Sequence, residues 1–356
     1  MGEAGGGVME TKSVADAIAW QADHADESGA PGTARVIRAL LPVLETETAT
    51  GRRMAEWHGL SLEDAMPLRI AGGLHALYLA VEEERLGDVY AGLMTDQGQV
   101  DALVVETVQT FDFRLLSWLD RPPQTNEAGR SANIMAALLW LSGRLGPKFE
   151  LNEIGASAGI NTMMGRFAFD LGGVTAGPSL SSLTIAPEWR GAPPPDNPVE
   201  IVGAKGCDLA PVDLTDPAQA ERLRAYAWPE ARERMARLDA AIAMAKRAPP
   251  DLVQQDAGAF VAERLTAERE DGVTRVLFHT VMWQYLPSVT RNAITEAMEQ
   301  AGAQSTRERP LAWIMSETNR ETFRQECRVR YWPGGEEWAM LTQSHPHGAW
   351  VEWLAQ

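Results

Sequence analysis

The sequence predicts an α/β protein in which a doubly wound, mainly parallel sheet follows an N-terminal all-helical domain. Three observations carry that prediction. From Ser13 to about residue 147 the apolar residues recur at helical spacing throughout. From Phe149 onward, short extended runs alternate with helical ones. A glycine-rich turn ends the first of those extended runs, where strand should pass into helix.

In the first half, Val14, Ile18 and Ala22 mark one helical face, and Val36, Leu40 and Leu44 mark another. Leu68–Leu86 reads as a helix carrying the pair Gly72-Gly73, which costs helix stability and points to close helix packing. Leu103–Leu119 and Ala128–Leu145 complete the set, separated by Pro122-Pro123, with Thr125 as the expected N-cap of the second. Residues 1-12 are glycine-rich and read as a disordered leader. The expected division is thus a leader over 1-12, a helical domain over 13-147 and an α/β domain over 148-356.

In the second half, Phe149–Ile154, Val199–Val202, Leu252–Gln255, Val273–Val281 and Leu311–Ser316 read as strands. The helices between them are Pro217–Ala248, Ala259–Glu268 and Ser288–Ala301. Cys327–Trp332, Glu337–Thr342 and Ala349–Leu354 are short runs joined by turns, which predicts an antiparallel edge. An insertion at about 172-198, rich in proline and glycine, is expected to cover a face of the sheet.

A formal net charge of −17 repels phosphate backbones and anionic membranes, which argues against nucleic acid as a partner. The arginines from Arg222 to Arg237 are interleaved with Glu221, Glu230 and Glu233 and read as a solvated helix face. No apolar run approaches the roughly 20 residues of a bilayer span. Two separated cysteines, Cys207 and Cys327, suit a reducing compartment and carry no zinc signature. A cytoplasmic protein is expected.

The chemistry concentrates in Glu153-Ile154-Gly155-Ala156-Ser157-Ala158-Gly159. Small residues after a strand let backbone amides approach a ligand, and a carboxylate there can accept hydrogen bonds from it. Asp208 follows the next strand and Asp256, with Ala257 beside it, follows the one after. His279, Trp283 and Tyr285 come after the fourth. Polar groups at successive strand ends point to one crevice at the carboxyl edge of the sheet. In the helical half, Asn126-Glu127 with Arg130 admits two readings, a helix start with a surface ion pair or a group presented to the site.

This order resembles the class I S-adenosylmethionine-dependent methyltransferases, a Rossmann-like fold. The resemblance implies S-adenosylmethionine as cofactor, bound by Glu153, Gly155, Ser157, Gly159, Asp208, Asp256 and Ala257. His279, Tyr285, Glu127 and Arg130 would then face the reacting groups, and the acceptor would be a small molecule or a protein. Ser157 stands where that family usually has its middle glycine, and the stretch from Gly155 to Asp208 is far longer than the roughly 20 residues of a simple dinucleotide unit. Over nearly its whole length the chain also resembles the bacterial family called Domain of Unknown Function 2332. That likeness is carried by Gln124–Arg130, Asn152–Asn161, Gly206–Leu214, Tyr226–Pro229 and His279–Pro287.

Two other functions fit the same residues. One is a non-catalytic descendant that keeps the sheet and binds a ligand or a partner. The other is a serine hydrolase, since Gly155-Ala156-Ser157-Ala158-Gly159 fits the nucleophile-elbow pattern. Its further triad members would be Asp256 or Glu317 and then His345 or His347.

Overall fold

Helices begin where a cap is at hand. In a computed structural model that describes residues 13–59, 64–319, 322 and 324–355, Ser13 accepts the Asp16 amide and opens α1 (Val14–Glu27). The expected leader over residues 1-12 lies outside the described residues. Pro31 stands in the first turn of α2 (Pro31–Arg38), which runs on into α3 (Leu40–Val43). Thr48 caps α4 (Ala49–Ala55), and α5 (Met66–Leu79) and α6 (Leu86–Tyr90) follow. Asp96 caps α7 (Gln97–Thr110), which gives way to α8 (Asp112–Leu116).

Two expected helices are shorter than their apolar pattern. The run over Leu68–Leu86 stops at Leu79, and Val81 takes a left-handed φ of 60° that breaks it. The run over Leu103–Leu119 divides at Phe111, because Asp112 turns its carboxylate back onto the amides of Ala49 and Thr50, at 2.7 and 2.8 Å. The glycine pair in α5 does mark close packing. A Cβ on Gly72 would lie 2.7 Å from the Tyr226 ring, and one on Gly73 would lie 2.8 Å from Leu115.

The chain divides into two compact units, each drawn from two stretches of sequence. One holds the chain up to Thr125 with Pro217–Ala236, and the other holds Asn126–Asp216 with Arg237–Gln356. The expected boundary near residue 147 therefore shifts in both directions. The helix at 131–145 belongs with the sheet, and the segment Pro217–Ala236 belongs with the helices. Within the helical unit Tyr226 packs edge-on against Trp118, and Glu230 accepts both the amide and the hydroxyl of Thr33.

The second unit starts with α9 (Ser131–Leu145) and β1 (Lys148–Ile154). A separate small sheet of β2 (Ala168–Leu171), β3 (Val174–Ala176) and β4 (Thr184–Ile185) follows, then β5 (Glu188–Arg190) and β6 (Glu200–Asp208). Two helices stand where one was expected from 217 to 248, α10 (Pro217–Ala225) and α11 (Arg232–Arg247). The rest alternates as β7 (Leu252–Gln254), α12 (Ala257–Thr266), β8 (Val273–Thr280), α13 (Ser288–Ala303) and β9 (Leu311–Thr318). It closes with the antiparallel run β10 (Gln325–Trp332), β11 (Gly335–Ser344) and β12 (Trp350–Trp353).

These strands form one large, mostly parallel sheet in the order β5-β12-β11-β10-β9-β8-β1-β6-β7. All eight residues of β8 are buried, as a central parallel strand requires. The insertion at about 172-198 does more than cover a face. Its strands β3 and β4 join the small sheet, and β5 lengthens the main sheet by pairing parallel to β12.

Strand alternation separates the two faces. Leu311 and Trp313 of β9 share a core with Phe260 of α12 and Ile294 and Met298 of α13. Ser316, of opposite parity, meets α9 instead. There Asn133, 2% exposed, accepts the Thr342 hydroxyl at 2.7 Å and donates to Ser344 at 2.9 Å and Ser316 at 3.4 Å. Replacing Asn133 with Leu leaves three buried hydroxyls short of a partner. The expected loss is roughly 2–4 kcal/mol in denaturant unfolding, against a change near zero if α9 is held by apolar packing alone.

Candidate functional site

The strand order reverses at β1. From β1 the chain moves outward to β6 and β7, then returns to lay β8 on the other side of β1 and continues to β9. Such a reversal opens a crevice beyond the carboxyl ends of the central strands. The glycine-rich turn lies there, immediately after Ile154.

Three residues of that turn are left-handed: Gly155 at φ 65°, Ser157 at 52° and Gly159 at 70°. The turn leads into a 3₁₀ segment, Asn161–Arg166, and not into the α-helix expected from its composition. No helix dipole is therefore aimed at the crevice from this strand. The glycines make room for protein: a Cβ on Gly155 would lie 2.8 Å from Met282, and one on Gly159 2.9 Å from Leu252 and Pro250. Asp208 fixes the turn from the next strand. Its carboxylate accepts the Ser157 amide and the Ala210 amide, both at 2.9 Å.

Beneath the turn is a buried polar cluster. Glu153 is 1% exposed and Asn161 0%, and Ser157 is nine-tenths buried. Among the described residues, one carboxyl oxygen of Glu153, the Ser157 hydroxyl and both ends of the Asn161 amide have no hydrogen-bond partner. Burial pushes the Glu153 carboxyl well above its ordinary range, against the opposing pull of Arg130 and of the nearby Asn161 amide, whose geometry falls short of a hydrogen bond. The Asn161 amide alone brings a donor and an acceptor, so the cluster presents groups of both kinds.

The residues before α9 close this cluster. Asn126 accepts the Ile160 amide at 2.7 Å. Glu127, not Thr125, caps the 3₁₀ turn Ala128–Arg130 by accepting the Gly129 amide at 3.0 Å, and it pairs with Arg237 at 3.1 Å. Arg130 donates to the Pro346 carbonyl at 2.9 Å. The loop after β11 lies close enough that a Cβ on Gly129 would be 2.7 Å from the His347 carbonyl. Both Glu127 and Arg130 are thus buried parts of the site's wall, whereas a surface pair was one of the two readings.

His279 sits on the opposite face of the sheet and is fully buried. The Trp313 indole donates to His279 Nε2 at 3.1 Å. Because an indole N–H can only donate, Nε2 must hold a lone pair, so the ring proton is on Nδ1 and is donated to Glu317 Oε1 at 2.6 Å. Both nitrogens are taken, so His279 orients Glu317 and has no free nitrogen for a ligand. The same Glu317 oxygen accepts the amides of Met282 and Trp283 at 3.2 and 3.3 Å. Glu317 lines an open cleft of about 400 Å³ with Trp283, Met315, Thr318, Asn319, Glu326 and Arg328.

The remaining expected residues are spread along the same edge. Asp256 is exposed and caps α12 through the Ala259 amide, with Ala257 buried behind it. Tyr285 is 75% exposed. Ser157 has the left-handed backbone of an elbow residue, but its hydroxyl is bonded to no histidine. His345 Nδ1 accepts the His347 amide at 3.1 Å. Among the described residues there is no group of three or more side chains able to hold a metal ion, and no helix is long and apolar enough to cross a membrane.

The model of the bacterial family described as "Uncharacterized protein conserved in bacteria (DUF2332)" matches residues 15–353, nearly the whole chain. The chain belongs to that family. No curated protein and no solved structure matches it. In this DUF2332 member, sequence reasoning named Glu153, Ser157 and Asp208 but assigned no role to Asn161 and read Arg237 as solvated. Asn161 belongs to no periodic pattern and Arg237 sits in a run of alternating charges, and each is bonded or packed by segments distant in the sequence.

The perturbed acid gives a test with a definite sign. A folded-state pKa above the unfolded value of about 4.3 stabilises below that value and is lost as pH rises. Glu153→Gln removes this dependence. Unfolding free energies measured from pH 4 to 8 should move steadily in the variant's favour as pH increases. A difference from wild type that stays constant over this range would mean Glu153 titrates as an ordinary carboxylate.

Proposed function

We propose that this protein is an S-adenosylmethionine-dependent methyltransferase with the cofactor at the reversal point beside β1. The observation that carries the reading is the set of buried polar atoms without partners on Glu153, Ser157 and Asn161. Such atoms are costly to bury unless a ligand or water satisfies them. The strand order from β7 through β6, β1 and β8 to β9, ending beside antiparallel β10, supports a Rossmann-like, doubly wound arrangement of the kind that family uses.

The fit rests on side chains and not on the glycines, whose space Met282, Leu252 and Pro250 take. Glu153, Ser157 and Asn161 would hold the cofactor's amino-acid portion, and Asp208 keeps the turn in shape for it. Asp256 and Ala257 stand just after β7, where the resemblance to that family would put the adenine of the cofactor. Bound there, the cofactor supplies an electrophilic methyl group. The protein's part is to align the acceptor and exclude water, which needs no acid or base when the acceptor is already nucleophilic.

A second reading is a non-catalytic binding protein. It is favoured by Asp208, whose two oxygens already accept backbone amides where a cofactor-binding acid would offer them to a ribose.

Calorimetric titration with S-adenosylmethionine and S-adenosylhomocysteine, with NAD as control, tests the proposal. Saturable binding of the first two is expected, weakened roughly tenfold or more by Asn161→Leu, which corresponds to about 1.4 kcal/mol. Folded wild-type protein that binds neither compound removes the methyltransferase reading. Binding of both with no methyl transfer to any nucleophile tried would favour the second reading.

A further inference from the structure

The carboxylate of Glu317 is held in place entirely by neutral groups. Its Oε1 receives the His279 ring N–H and the amides of Met282 and Trp283, and no arginine or lysine pairs with it among the described residues. His279 cannot neutralise it without breaking the Trp313 bond, since an imidazolium has no lone pair to accept the indole proton. Behind this arrangement are well-packed rings. His279 stacks on Trp283 at 4.9 Å, Trp283 meets Trp313 edge-on at 5.5 Å, and Trp313 meets Trp338 at 5.2 Å. Both His279 and Trp313 are buried, so the orientation of Glu317 is locked from below.

Among the described residues the second oxygen has no hydrogen-bond partner, and Glu317 lines the cleft. The other charges lining that cleft cancel: Arg328 donates twice to Glu326, at 2.6 and 3.1 Å. Among the described residues that line the cleft, Glu317 is therefore the charge without an oppositely charged partner, and it stands beside the Trp283 indole. That combination suits a cationic nitrogen, which a carboxylate attracts as a charge and an aromatic ring attracts through its quadrupole.

We propose that this cleft is a binding site for an amine, with Glu317 as the residue that receives its ammonium group and His279 and Trp313 as positioning residues. The site lies at the same sheet edge as the glycine turn, because Met282, whose amide bonds Glu317, also packs against Gly155. Resting on the methyltransferase reading, this makes the methyl acceptor an amine, whose ammonium first gives a proton to the Glu317 carboxylate so that the nitrogen lone pair is free to take the methyl group. The binding itself stands without that reading.

The test uses the full chain with no cofactor present. Benzylamine and its neutral analogue benzyl alcohol are titrated at neutral pH, with binding followed by tryptophan fluorescence and calorimetry. Saturable binding of benzylamine, and none or far weaker binding of the alcohol, is expected. Glu317→Gln should weaken the amine roughly tenfold or more. Glutamine keeps an acceptor for His279 and both amides, so the variant should unfold at the same denaturant concentration as wild type. Equal responses to amine and alcohol in wild type, or no saturable amine binding, overturns the proposal whatever the variant does. Amine binding undiminished in a folded Glu317→Gln also overturns it. Because no S-adenosylmethionine is used, loss of the amine site and loss of the cofactor site register in separate experiments.

Discussion

The carboxylate of Asp208 accepts the Ser157 amide with one oxygen and the Ala210 amide with the other, so the turns after β1 and β6 share a single charge. Hydrogen bonds to a charged group contribute about 1.5–3 kcal/mol each when shielded from water, and less where, as here, the acid is half exposed. The left-handed backbone of Ser157 costs about 1–2 kcal/mol. The gain and the cost are of similar size, so Asp208 is what keeps a non-glycine residue in that conformation. Glu153 and Asn161, on either side of this turn, are both buried.

The same edge shows how differently the two faces of the sheet treat charge. On the α12 face Glu150 is paired with both Arg264 and Arg275, and Asn152 receives the Arg264 guanidinium at 2.7 Å. Those charges are satisfied by one another, as buried ions must be if they are to persist. On the α9 face, Glu127 has Arg237, whereas Glu153 has no ion-pair partner among the described residues and burial raises its carboxyl well above the ordinary range.

Much of the sheet was legible because hydrophobic runs bounded by glycine or proline report strands directly. The five runs from Phe149 to Ser316 correspond to β1, β6, β7, β8 and β9, and the antiparallel ending was visible in its turns. What was not legible depends on partners far away in the chain. Glu188–Arg190 carries no strand pattern of its own and becomes β5 only by lying against β12. The turn after β1 has the composition of a helix start, yet the amide of Ile160 is drawn to Asn126 and the segment tightens into a 3₁₀ turn. At the candidate site, residue types pointed to one sheet edge, and Glu153, Asp208 and His279 do lie at the carboxyl ends of neighbouring strands. They did not reveal that both nitrogens of His279 are engaged, because the Trp313 indole that fixes the tautomer comes from a different strand.

The interleaving of the two units has a consequence for the order in which a ribosome can deliver them. The helical unit lacks the ring of Tyr226 against Gly72 until Pro217–Ala236 has been made, and by then much of the other unit is already outside the tunnel. The sheet unit waits longer still, because β5 has nothing to pair with until Trp350–Trp353 appears. Neither unit can close during the synthesis of its first stretch alone. The nascent chain must therefore carry an open sheet edge through most of its translation, a stage at which holding chaperones have the most surface to cover.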